Sequence, residues 1–90
     1  MGTMPKRTDA NQAEIVAALR AMGASVQCLH IIGHGCPDLA VGWRGTTLLV
    51  EVKNGAGDLT PDEKEWHSTW RGQVCIVRSI DDAIKLMEAT

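Results

Sequence analysis

The run PDLAVGWRGTTLLVEVK, Pro37 to Lys53, decides the reading of this 90-residue chain. Two stretches rich in β-formers, Asp38–Trp43 and Thr46–Lys53, flank the dipeptide Arg44-Gly45, and a two-residue connection between such stretches predicts a tight antiparallel hairpin. That turn pairs Trp43 with Thr46, and counting back pairs Asp38 with Glu51. Side chains alternate along a strand, so Glu51 and Lys53 share one face while Val50 and Val52 take the other. Opposed residues have Cβ atoms roughly 5 Å apart. Two carboxylates that close repel, and one has its pKa raised unless a cation sits between them. A hard divalent ion such as Mg²⁺ relieves that repulsion, because it takes oxygen ligands and keeps several waters. Lys53 then stands where an ammonium group can orient or deprotonate a water, or offset charge developing on a phosphate. Pro37 fixes the start of the first strand, and Gly33 and Gly35 let another backbone come close.

A Glu-x-Lys triplet alone is commonplace on exposed strands. Here it lies inside LLVEVK, an apolar run that predicts a central strand, and charges in such a place need partners or a metal.

Working outward from the hairpin, apolar residues at helical spacing (Ile15, Ala18, Leu19, Met22) predict a first helix, with Thr8 or Asp9 as its N-cap and Gly23 as its stop. Residues 1–7, MGTMPKR, read as a loose tail, so the domain is expected to span residues 8–90. Ala24–Ile32 alternates and predicts a strand that GHGCP then breaks. Beyond the hairpin, Thr60 with Pro61 and Glu63 forms a capping box at the start of a helix ending at Gly72, with Trp66 and Trp70 on one face. Gln73–Ser79 predicts a buried strand, and Ser79 with Asp82 caps a last helix whose apolar stripe is Ile80, Ala83, Ile84 and Met87. The order is α-β-β-β-α-β-α, which implies an α/β domain with one mixed central sheet flanked by helices.

Composition narrows the function. An apolar fraction of 44% with 22% charged residues is globular and excludes a disordered chain. No apolar run approaches the ~18 residues of a membrane span, and no signal-peptide core is present, so a soluble intracellular protein without a membrane partner is expected. Three cysteines without a Cys-x-x-Cys pair argue against a disulfide scaffold and a structural zinc site. The spacing of His30, His34 and Cys36 has no zinc-ribbon logic either. A formal charge of -2 excludes a protein that coats nucleic acid, so any action on nucleic acid must come from a local site. Trp66 and Trp70 are read as core or interface packing, with stacking on a splayed base as the alternative.

Taken together, GCPDLAVGW, LLVEVKNGAGDLTPDEKEWH and GQVCIVRS with its following helix resemble the PD-(D/E)XK nuclease superfamily, most closely the VRR-NUC domain in its small stand-alone phage and bacterial form. The resemblance runs from about Glu14 to the last helix and implies a restriction-endonuclease-like fold. It implies a metal-dependent endodeoxyribonuclease, with Asp38 and Glu51 binding Mg²⁺ or Mn²⁺ together with the Val52 carbonyl, and Lys53 as the catalytic lysine. It places Glu14 where members carry an acidic residue on the first helix, against the plainer reading of a solvated side chain. Members often have Gln where this chain has Glu63, which leaves open whether Glu63 touches the site or only closes the capping box.

Lys6, Arg7, His34, Arg44 and Lys64 are the candidate DNA contacts around the cleft. The substrate class implied is branched DNA such as a four-way junction, cut by a homodimer in the cytoplasm of a bacterial or phage-infected host cell. A nicking nuclease acting on ordinary duplex, or a catalytically idle DNA-binding module, are the rival readings.

Overall fold

The computed structural model describes residues 7–90, with side chains from Ala10 onward. Lys6 and the rest of the expected tail, together with the Arg7 side chain, lie outside what it describes. The elements run α1 (Arg7–Ala21), β1 (Ser25–Cys28), a 3₁₀ turn (His30–Ile32), β2 (Leu39–Trp43), β3 (Thr46–Val52), α2 (Pro61–Thr69), β4 (Val74–Val77) and α3 (Ile80–Glu88). The strands lie side by side in the order β1-β2-β3-β4, antiparallel except for the parallel β3–β4 pair. This is the expected α-β-β-β-α-β-α domain with a mixed sheet.

The hairpin is the one read from the sequence. Trp43 pairs with Thr46 and Leu39 with Val50. Arg44 and Gly45 both adopt positive φ, 51° and 77°, as a two-residue turn of the primed type requires. One face of the sheet carries Leu39, Val41, Leu48 and Val50 into the core, where they meet Ile15 and Leu19 of α1 and Ala83 and Met87 of α3. Each large side chain buried there contributes about 1.5–3 kcal/mol over leaving it in water.

Several local expectations are corrected. Thr8 and Asp9 do not cap α1, because the helix already runs from Arg7. β1 stops at Cys28. The Leu29 N–H donates to the Asp38 carbonyl (2.7 Å), and the residue opposite His30 is then Pro37, which has no N–H to extend the ladder. The chain turns instead, leaving Ile31 89% exposed. β4 is an edge strand rather than a buried one, so Ile76 stays 40% exposed on the face opposite the core. Ile80 is likewise exposed and is not part of the α3 core stripe, which rests on Ala83 and Met87. α2 ends at Thr69, before Gly72, where the Trp70 N–H closes the last turn onto the Trp66 carbonyl.

Candidate active site

Asp38 precedes β2 by one residue, so the hairpin register carries it opposite Glu51. Pro37 behind it is fully buried and anchors the start of the strand. The Asp38 Oδ2 accepts the Val52 N–H at 2.8 Å, which pulls the carboxylate toward the end of β3. The N–H and C=O of one strand residue point to the same edge, so the Val52 carbonyl faces the Asp38 side as well.

Glu51 is only 2% exposed, and its Oε1 is buried without a hydrogen-bond partner. Its Oε2 lies 3.8 Å from the Lys53 Nζ. Burial, a hydrogen bond with Asp38 and the negative charges of Asp38 and Glu63 push the Glu51 carboxyl up to about 9, against the opposing pull of Lys53. The same surroundings raise the Cys36 thiol, first by burial and then through the carboxylates of Glu51 and Asp38.

Lys53 is held more tightly by Glu63, whose Oε1 accepts its Nζ at 2.6 Å. That oxygen also accepts the Thr60 N–H at 2.8 Å, while the Thr60 hydroxyl accepts the Glu63 N–H at 3.3 Å. Glu63 therefore does more than close the capping box of α2, because the same oxygen also holds the lysine. Burial raises the Glu63 carboxyl, but the hydrogen bonds from Lys53 and the Thr60 N–H outweigh it and hold the group below its ordinary value.

The loop before Pro37 fits closely against this cap. Gly35 adopts φ +82°, and a Cβ there would meet the Asp62 carbonyl oxygen at 2.4 Å, so its lack of a side chain permits the approach to α2. Gly33 has positive φ too, but nothing lies within 4 Å of where its Cβ would stand.

The carboxylates open onto a cavity of about 860 Å³ walled by Gln12, Ala13, Val16, Ala17 and Arg20 of α1, by Cys28 and His30, and by Val52, Lys53 and Glu63. Its floor is a set of hard oxygen donors with one orphaned carboxylate oxygen. Among the described residues no three His, Cys, Asp or Glu side chains converge to hold a metal. Two carboxylates and a backbone carbonyl nevertheless suit an ion that keeps several waters, as Mg²⁺ does.

Of the expected site residues, Asp38, Glu51, Val52 and Lys53 come together. Glu14 does not join them: it is exposed and stands off the cavity wall, because two residues along a helix turn about 200° away from Gln12, which does line it. Arg44 is at the hairpin turn, six residues from Asp38 and so roughly 20 Å along the strand, with its guanidinium 5.0 Å from the Trp43 ring centre. His34 lies in a separate shallow hollow with Asp62, Glu65 and Trp66, and Lys64 pairs with Asp58 at 3.2 Å. Trp66 and Trp70 stack on one another, ring centres 4.6 Å apart, with Trp70 44% exposed.

The reach of Glu63 is testable. Glu63→Ala removes both the grip on Lys53 and half of the capping box, whereas Thr60→Ala disturbs only the cap, at a cost of about 1 kcal/mol. Turnover of the protein's substrate is expected to fall on the order of tenfold in Glu63→Ala and to stay near wild type in Thr60→Ala. Equal losses in the two variants would reduce Glu63 to a helix cap.

No family model matches the chain, and no curated protein matches it. Among solved structures it is similar to a chain described as a VRR_NUC domain, with a TM-score of 0.76 and 29% identity over 93% of this chain and 97% of that one.

Proposed function

Because the chain is a VRR-NUC domain, a nuclease fold of the PD-(D/E)XK type, we propose that it is an endonuclease that hydrolyses DNA phosphodiester bonds with a divalent cation, Mg²⁺ or Mn²⁺. The observation that carries this reading is the convergence of Asp38, Glu51 and Lys53 at one cavity, with a buried Glu51 oxygen left without a partner. A buried carboxylate pair is costly unless a cation compensates it, so the arrangement is paid for by function rather than by stability. Asp38, Glu51 and the Val52 carbonyl would hold the ion. When bound, it supplies an acidified water and charge compensation at a non-bridging phosphate oxygen.

The protein's own groups do the rest. The Val52 N–H fixes the Asp38 carboxylate in place, and Glu63 fixes the Lys53 ammonium. Lys53 thus faces the reacting phosphate with its position already set, so it can orient the attacking water and offset charge as the bond to the leaving oxygen breaks. The product expected is a 5′-phosphate end.

The same reading extends to a homodimer acting on branched DNA, whose two sites nick strands symmetrically. Ile76, exposed on the sheet face, and Trp70, exposed at the C-cap of α2, support an apolar contact between copies. No helix among the described residues is long and apolar enough to cross a membrane. Incubation with labelled four-way junction, flap and linear duplex in Mg²⁺, Mn²⁺ and EDTA tests the reading. Cutting of the junction with metal and none in EDTA is expected, with light scattering giving twice the chain mass. Retardation without any cut would make the protein an idle binding module, and equal cutting of duplex would remove the branched-DNA selectivity.

A further inference from the structure

The cavity that holds the carboxylates is lined by two Lys or Arg side chains, Lys53 and Arg20. Lys53 is committed to Glu63 and Glu51. Arg20 is not. Among the described residues no carboxylate lies within ion-pairing distance of it, and its Nη2 donates to the Val26 carbonyl at 2.9 Å. That bond engages one nitrogen of the exposed guanidinium, and no other hydrogen bond joins the rest of it to a described residue.

Of the other basic side chains among the described residues, Lys64 pairs with Asp58, Lys85 with Asp81, Arg78 donates to the Gly55 and Gly57 carbonyls, Arg44 lies over Trp43, and Arg71 is exposed just beyond α2 and does not line this cavity.

The wall of α1 that ends in Arg20 also has room for a chain. Residues 12, 13, 16, 17 and 20 recur at helical spacing, and the small side chains of Ala13 and Ala17 precede the arginine along the cavity. The Val26 carbonyl is three residues from Leu29, whose N–H binds the Asp38 carbonyl, so the Arg20 guanidinium lies about 10 Å from the carboxylate end. That is too far to act on the phosphate held there, and far enough to meet another phosphate of the same strand.

We propose that Arg20 is a substrate-binding residue of this cleft, seating a phosphate of the DNA strand other than the one that is cut; the proposal rests on the nuclease reading above. A guanidinium with no carboxylate partner among the described residues is suited to phosphate by its planar fork geometry. It supplies the attraction for a polyanion that a cleft otherwise dominated by Asp38, Glu51 and Glu63 lacks.

The test is steady-state cleavage of labelled DNA by wild type, Arg20→Ala, Arg20→Gln and Arg20→Lys, with binding of the same DNA followed by fluorescence anisotropy in EDTA. Arg20→Ala is expected to raise KM and Kd about tenfold with kcat within about twofold, and to flatten the dependence of log Kd on log salt by about one unit. Arg20→Lys should recover part of the loss. Arg20→Gln removes the charge and keeps a polar amide at this exposed position, so it reads the effect even if the alanine variant does not fold.

Unchanged KM, Kd and salt slope in Arg20→Gln would overturn the proposal, as would a fall in kcat alone. Wild type that binds DNA without cutting defeats the nuclease reading while the Kd comparison still decides on Arg20. Wild type that neither binds nor cuts DNA defeats both.

Discussion

Glu51→Gln is expected to abolish metal-dependent cleavage while leaving the protein folded, and Lys53→Ala to lower it on the order of 100- to 1000-fold. The two fail for different reasons. Glutamine keeps the volume of Glu51 but cannot supply the anionic oxygen that now lies buried without a partner. Alanine at position 53 removes the ammonium that Glu63 holds at 2.6 Å and leaves the carboxylates in place. Circular dichroism should be near wild type for both, since neither residue belongs to the apolar core of Ile15, Leu19, Leu39, Val50 and Met87. Cleavage that survives both changes would place the chemistry elsewhere on the molecule.

The second large effect is on stability against pH. Glu51 has its carboxyl raised from 4.5 to about 9 in the folded protein, chiefly by burial. Between those values the folded state holds a proton that the unfolded chain has released, so metal-free stability falls as pH rises through that window. For a single proton the slope approaches about 1.4 kcal/mol per pH unit, and in a domain of this size each kcal/mol moves the melting temperature by about 4–8 °C. Melts in EDTA from pH 5 to 9 should therefore decline steeply in wild type and much less in Glu51→Gln. Mg²⁺ should restore the loss, and by more at higher pH, because binding an ion there displaces the proton. A wild-type melting temperature independent of pH in EDTA would mean that Glu51 is not buried as described.

The parts of the site carried by local rules were legible in the sequence. A two-residue turn sets the hairpin register, and the register sets Asp38 against Glu51. Thr60, Pro61 and Glu63 announce the start of α2 by cap chemistry alone. What was not legible depends on partners far away in the chain. Leu29 to Ile32 have the composition of a strand, but only the neighbouring strand shows that Pro37 offers no donor to continue it. The exposure of Ile76 follows from β4 lying at the sheet edge, which the order of elements does not reveal.

Helix rotation is a further case. Ile15 and Leu19 identify the core side of α1, yet nothing in that stripe says which flank faces the cavity, and the flank proved to be that of Gln12 and Arg20 rather than Glu14. The double duty of Glu63 is of the same kind, since one oxygen shared by two donors is a matter of distance, not of pattern.

None of the residues of α2 is buried, so the helix is held by its ends and edges: the capping box, the grip of Glu63 on Lys53, and the backbone of Asp62 lodged against Gly35. A segment fastened in this way opens at a lower free energy than the core it rests on. Each time it frays, the lysine loses its tether although the sheet beneath stays whole. On heating, α2 is expected to let go of Lys53 before the sheet melts, so cleavage should be lost below the global melting temperature.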